Sequence, residues 1–167
     1  MLQQVQTLST DHADLRAEVA QQLDAGGLRR VLRYLNARTR HRFTGAYVFE
    51  PPMLRSVSLF DRENPDILVG ELAPLDETYC SLVGAQSSAF RTDDSLTDAR
   101  LVAFPARRAI QAYCGAPLVN AEGKCFGSLC HFDVRPRVMP LEEATTLLVV
   151  APLVAGEVER AWRAKVS

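Results

Sequence analysis

At 167 residues, with 47% hydrophobic and 23% charged side chains, the chain holds material for one domain with a sizeable core and too little for two. Nineteen Lys and Arg against twenty Asp and Glu leave a formal net charge of -1, which is not the footprint of a protein that tracks phosphate backbones, so nucleic acid is not an expected partner. No run of eighteen apolar residues is present, and the start lacks the basic head and apolar stretch of a signal peptide. The expectation is a cytoplasmic protein without membrane contact, whose cysteines Cys80, Cys114, Cys125 and Cys130 stay reduced.

Apolar residues at Val5, Leu8, Leu15, Val19 and Leu23 predict an amphipathic helix with a narrow seam. "DAGG" at 24–27 supplies turn residues, and Leu28, Val31, Leu32 and Leu35 form the apolar face of a second helix. Residues 1–25 therefore read as a separate amphipathic helix, a possible dimer contact, followed by a domain over 26–167. Two strands, "TGAYVFE" and "LRSVSLFD", are split by Pro51 and Pro52. Asp76 is placed to cap a helix over "ETYCSLVGAQ", with a short strand at "SSAF".

The acidic stretch "RTDDSLTDARLVAFPARRAI" is irregular and suits a lid. "QAYCGAPLV" and "KCFGSLCHFDV" flank the turn "NAEG" as an antiparallel hairpin, apolar at nearly every position, as expected when both faces are covered. The last helix carries a seam of Leu141, Ala144, Leu148, Ala151, Ala155, Val158 and Trp162. Pro152 inside it predicts a kink or break. Antiparallel strands between helices make the class α+β.

The run "YCGAPLVNAEGKCFGSLCHFDVRPR" resembles the C-terminal signature of GAF domains: an aromatic, a glycine and "PL", a glycine turn, then "GSLC", an aspartate and "PR". "DETYCSLV", "DARL" and the final helix follow the same family in the same order, so the resemblance spans roughly residues 26–160. It implies an antiparallel sheet of five or six strands, with the N- and C-terminal helices on one face and a ligand pocket on the other. It also implies a sensory or signalling module, here free-standing, acting through a homodimer or a protein signalling partner.

The residues themselves favour some chemistries over others. Cys114, Cys125 and Cys130 lack the paired spacing of a zinc knuckle, and strand alternation sends Cys125 and Cys130 to opposite faces, so no metal site is expected. "DARLVAFPARRAI" contains no cysteine for the thioether bond of bilin-binding relatives, and no cofactor is singled out. Non-covalent binding of an unidentified small molecule is the leading reading, more a binding module than an enzyme. Tyr47, Phe60, Tyr79, Cys80, Tyr113 and His131 are its candidate lining by position within the resemblance. Arg100, Arg107 and Arg108 are placed to meet an anionic group, and Asp133 is set either at the ligand or at the turn before the last helix. The alternative is a small thiol-dependent redox enzyme resembling free methionine sulfoxide reductase and using Cys80, Cys114 or Cys130.

Overall fold

The computed structural model describes residues 2–166, and side chains from 11 to 165. Helix α1 (Leu2–Asn36) is two helices joined at Gly27, whose φ of 72° is a left-handed conformation that glycine enters without a Cβ penalty. Leu15 and Val19 of its first part are buried in the same core as Val31, Leu32 and Leu35 of its second. The first segment therefore contributes to the chain's own core, where the sequence reading left it free for a partner. Val5 and Leu8 lie outside the described side chains.

Six strands form one antiparallel sheet: β1 (Phe43–Glu50), β2 (Met53–Asp61), β3 (Ala73–Pro74), β4 (Phe90–Thr92), β5 (Ala112–Val119) and β6 (Cys125–Asp133), in the order β3-β2-β1-β6-β5-β4. Helix α3 (Leu141–Val166) and α1 cover one face, where Ala46, Val48, Val57, Cys114, Ala116 and Leu129 meet Leu147, Val150, Val154 and Val158. The short helix α2 (Cys80–Gln86) and the segment 93–110 cover the other, around Tyr47, Leu54, Tyr79, Tyr113 and Cys130. This is the α+β architecture anticipated above, with both long helices on one side.

Three local expectations change. Helix α2 begins at Cys80 behind a 3-10 turn over Leu75–Glu77, so Asp76 does not cap it. Helix α3 continues through Pro152 without a break. Its buried stripe is Leu147, Val150, Ala151, Val154, Ala155 and Val158, which leaves Leu141 and Leu148 outward.

At the sheet end nearest both long helices, a buried polar cluster ties four elements together. Asn36 donates from Nδ2 to Thr44 Oγ1 (2.9 Å), and Thr44 Oγ1 pairs with His131 Nδ1 (2.7 Å). Thr39 donates its one hydroxyl proton to Glu143 Oε2 (2.8 Å) and so accepts from His41 Nδ1, 2.8 Å away. The two imidazoles stack at 5.9 Å between ring centroids.

Candidate functional site

Between the sheet and α2 lies an inner cavity of about 140 Å³, lined mainly by apolar and aromatic groups. Tyr47, Leu54, Tyr113, Cys130 and Phe132 come from the strands, Thr78 and Tyr79 from the turn leading into α2, Cys80 from its first residue, and Ala106 and Ile110 from the irregular segment. It shares Tyr47, Glu71, Ala73, Thr78, Ala106, Ile110 and Phe132 with a larger outer vestibule of about 830 Å³. The outer walls are the loop Ile67–Gly70 and the Arg42–Asp61 pair, joined by two hydrogen bonds of 2.8 and 2.9 Å.

A buried sulfur and hydroxyl cluster adjoins the cavity. Ser128 Oγ donates to Cys80 Sγ at 3.0 Å, and the Tyr113 hydroxyl lies 3.3 Å from the same sulfur. Cys130 completes the group, and its thiol is within 3.7 Å of the Gly45 carbonyl. Hydrogen bonding from Cys130, with Ser128 and Tyr113, holds the Cys80 thiol below its ordinary range although burial acts against it. Burial pushes the Cys130 thiol and the Tyr113 phenol well up. On the opposite face of the sheet, burial pushes Cys114 to about 12.

Four of the eight anticipated residues, Tyr47, Tyr79, Cys80 and Tyr113, surround this cavity. Phe60 does not. A bulge shifts the β1–β2 register between Ala46 and Tyr47, so that Ala46 faces Ser58, Tyr47 faces Ser56, and Val57 is extra. Leu54 therefore looks into the cavity, while Phe60, which unbroken alternation would put beside it, packs on the helical core under Arg29.

His131 is displaced by the same physics. Continued unbroken from Val119–Cys125, the β5–β6 ladder would set His131 opposite Tyr113; an irregularity between Leu118 and Val119 moves Phe132 there instead. Cys130 and Phe132 thus line the cavity, and His131 turns to the helical face, opposite Cys114. Phe132 and Leu54 are cavity residues that sequence reasoning missed, and Cys130 was singled out there only as a redox candidate. Alternation counted from Cys80's partners in β6 would have found them, but that contact is tertiary.

The other two positions do structural work. Asp133 accepts from the backbone N–H groups of Arg42 (2.9 Å) and Arg135 (3.1 Å) and from Arg137 Nε (2.9 Å), which fixes the turn toward α3. Arg107 lies on the outer 3-10 turn Pro105–Arg108, where its carbonyl accepts from Ser95 Oγ, and it does not line the cavity. Arg108 is exposed on that turn. Arg100 pairs with Asp98 through Nε (3.0 Å) and Nη2 (2.7 Å) and stacks over Phe90, while the fully buried Leu101 anchors the same segment.

No family model and no curated protein matches the chain. Among solved structures it is similar to the GAF domain of an Acinetobacter phosphoenolpyruvate-protein phosphotransferase, with TM-score 0.72 and 13% identity over 93% of this chain and 98% of that one. It is also similar to a type II free methionine-R-sulfoxide reductase from Thermoplasma acidophilum, with TM-score 0.61 and 17% identity over 87% and 96% of the two chains. A phycocyanobilin-bound GAF domain from a cyanobacterial phytochrome aligns at TM-score 0.65 and 13% identity, over 90% and 94%. The fold is of GAF type. Among the described residues no helix is long and apolar enough to cross a membrane.

Proposed function

We propose that the protein is a GAF-type sensory module that binds a small molecule between the sheet and α2, in the cytoplasm, and passes the event on through its terminal helices. One observation carries this reading: the partly enclosed cavity opens to an outer vestibule and is walled by residues from three separate segments. Such a site is concave, mostly apolar and has few polar groups, as small-molecule sites are.

Size narrows the ligand. A dry cavity of about 150 Å³ accommodates benzene, so the inner space of about 140 Å³ suits a head group of one ring or a short branched chain. A whole tetrapyrrole would have to sit chiefly in the vestibule. No lysine or arginine lines the inner cavity, and Arg42 at the vestibule is held by Asp61, so a neutral or amine-bearing tail fits better than an anionic one.

The transmission route follows the hydrogen bonds. Arg29 of α1 donates to the carbonyls of Leu59 (2.8 Å) and Ile67 (3.3 Å), and to that of Pro65, which ties the helix to the vestibule loop. Ligand-dependent movement of that loop would therefore pull on α1. Output through a homodimer, or through a signalling partner that reads the terminal helices, belongs to the same proposal. A chain starting at Gly26 should sediment as a monomer if pairing runs through the first helix.

The test is a thermal-shift screen with nucleotides, amino-acid derivatives, haem and bilins. A ligand at about a hundred times its Kd should stabilise by about 2.7 kcal/mol. Leu54→Trp, which fills the inner cavity, should abolish the shift and leave the fold intact by circular dichroism. No shift with any compound, from a protein purified without chromophore, would favour a module that works by protein contact alone.

A second reading has its own observation: two of the cavity walls are thiols, Cys80 and Cys130. A thiol-dependent reductase of a small sulfoxide would use them, and turnover of free methionine sulfoxide with a dithiol reductant tests it directly.

A further inference from the structure

The cavity floor holds a feature that simple ligand binding does not require. Cys80 starts α2 and Cys130 lies in β6, fifty residues apart in sequence, yet their side chains share one buried cluster and both face the same cavity. Cys114 faces the other side of the sheet, and Cys125 lies at the hairpin end beside its own Gly127 carbonyl. The thiols are thus sorted into one facing pair and two bystanders.

The pair is chemically asymmetric. Cys80 Sγ receives the Ser128 hydroxyl at 3.0 Å and has the Tyr113 hydroxyl at 3.3 Å, two donors placed where charge on sulfur would develop. Cys130 Sγ has the Gly45 carbonyl oxygen at 3.7 Å, an acceptor that gives no support to a thiolate there. One member is set up as nucleophile and the other as a protonated reserve, and a cavity of about 140 Å³ admits a small oxidant to both.

We infer that Cys80 and Cys130 form a reversible dithiol–disulfide switch driven by hydroperoxide, with Cys80 as the attacking sulfur and Cys130 as the resolving one. Cys80 sulfur attacks the O–O bond: an S–O bond forms, the O–O bond breaks, and the departing alkoxide or hydroxide takes the thiol proton and leaves as alcohol or water. Cys130 sulfur then attacks the sulfenic Cys80: the S–S bond forms, the S–O bond breaks, and the hydroxide leaves as water with the Cys130 proton. Two thiols lose two electrons and one peroxide gains them. The bond clamps the start of α2 onto β6 across the cavity floor, so oxidation and ligand occupancy exclude one another.

This inference goes beyond the binding proposal and does not need its ligand. Folded full-length protein is exposed to hydrogen peroxide near neutral pH, its intact mass is recorded, and unreacted thiols are then alkylated for non-reducing peptide maps. The expected result is a loss of 2 Da, a single linked pair of peptides carrying Cys80 and Cys130, and full reversal by dithiothreitol. Cys130→Ser should stop at a dimedone-reactive sulfenic acid on Cys80, and Cys80→Ser should form no intramolecular disulfide. Cys114→Ser and Cys125→Ser should behave as the parent.

A linkage through Cys114 or Cys125, or no 2 Da loss while the protein stays folded, overturns the switch. If either pocket variant fails to fold, the map of the parent protein still decides. Failure of the ligand screen leaves this result untouched, and absent sulfoxide turnover with a mapped disulfide separates a switch from a reductase.

Discussion

Lowering the pH from 7.5 to 5 should destabilise the folded chain by about 4 kcal/mol, through two buried histidines that lie outside the cavity lining. His41 and His131 are 1% and 2% exposed. Burial holds their folded-state pKa values at about 4 and about 3; at His41 Arg137 and Arg62 add to it while Asp133 and Asp93 oppose, and at His131 His41 and Arg62 add to it. In the unfolded chain both return to about 6.5. Between those values the unfolded state binds protons that the folded state refuses, so stability rises with pH there and is lost as pH falls below about 6.5.

At pH 5 each histidine then costs about 2 kcal/mol relative to neutral pH. Asp61, Asp98 and Asp133 have lowered folded pKa values and contribute their losses only further into acid, whereas Glu143, raised by burial, offsets a small part. The assay is urea unfolding followed by circular dichroism at half-unit pH steps, with imidazole proton shifts recorded by NMR in parallel. An unfolding free energy that stays flat from pH 7.5 to 5, or imidazoles that titrate near 6.5 while the chain is folded, would refute the reasoning. Losses of this size are large against the 5–15 kcal/mol that holds a typical domain together.

Three further outcomes follow from the packing. Gly127→Ala would set a Cβ about 2.1 Å from the Tyr47 carbonyl oxygen, so the β1–β6 ladder must open; a loss of about 3 kcal/mol or more is expected in denaturant melts. Val19→Ala should cost about 1–3 kcal/mol because that side chain is fully buried, and an unchanged melting curve would show that the first helical segment is not part of the core. Arg100→Ala, which removes an exposed guanidinium from the largely covered Asp98 carboxylate, should cost about 1 kcal/mol and raise hydrogen exchange in 91–101, where Arg100 also holds the Arg91 carbonyl at 2.9 Å.

Much of this fold is legible in one dimension because its signals are local. Spacing in 28–35 makes an amphipathic helix wherever that segment lies, "NAEG" makes a turn through Asn120 and Gly123, and the doubly apolar strands announce a sheet covered on both faces. Tyr47, Tyr79, Cys80 and Tyr113 could be placed facing the cavity because they ride on those elements or at their edge.

What tertiary structure alone decided is which side chain looks which way after each interruption. The bulge at Val57 and the shift near Phe126 each move one residue of register, and one residue is the whole difference between the two faces of a sheet. That is why Phe60 and His131 belong to the helical side, and Leu54, Cys130 and Phe132 to the cavity. Composition and periodicity determined that this chain builds a covered antiparallel sheet between helices, since those preferences act over a few residues. That Cys80 and Cys130 line one cavity was decided only when α2 settled on β6, because no rule of spacing links residues fifty apart until the chain brings them together.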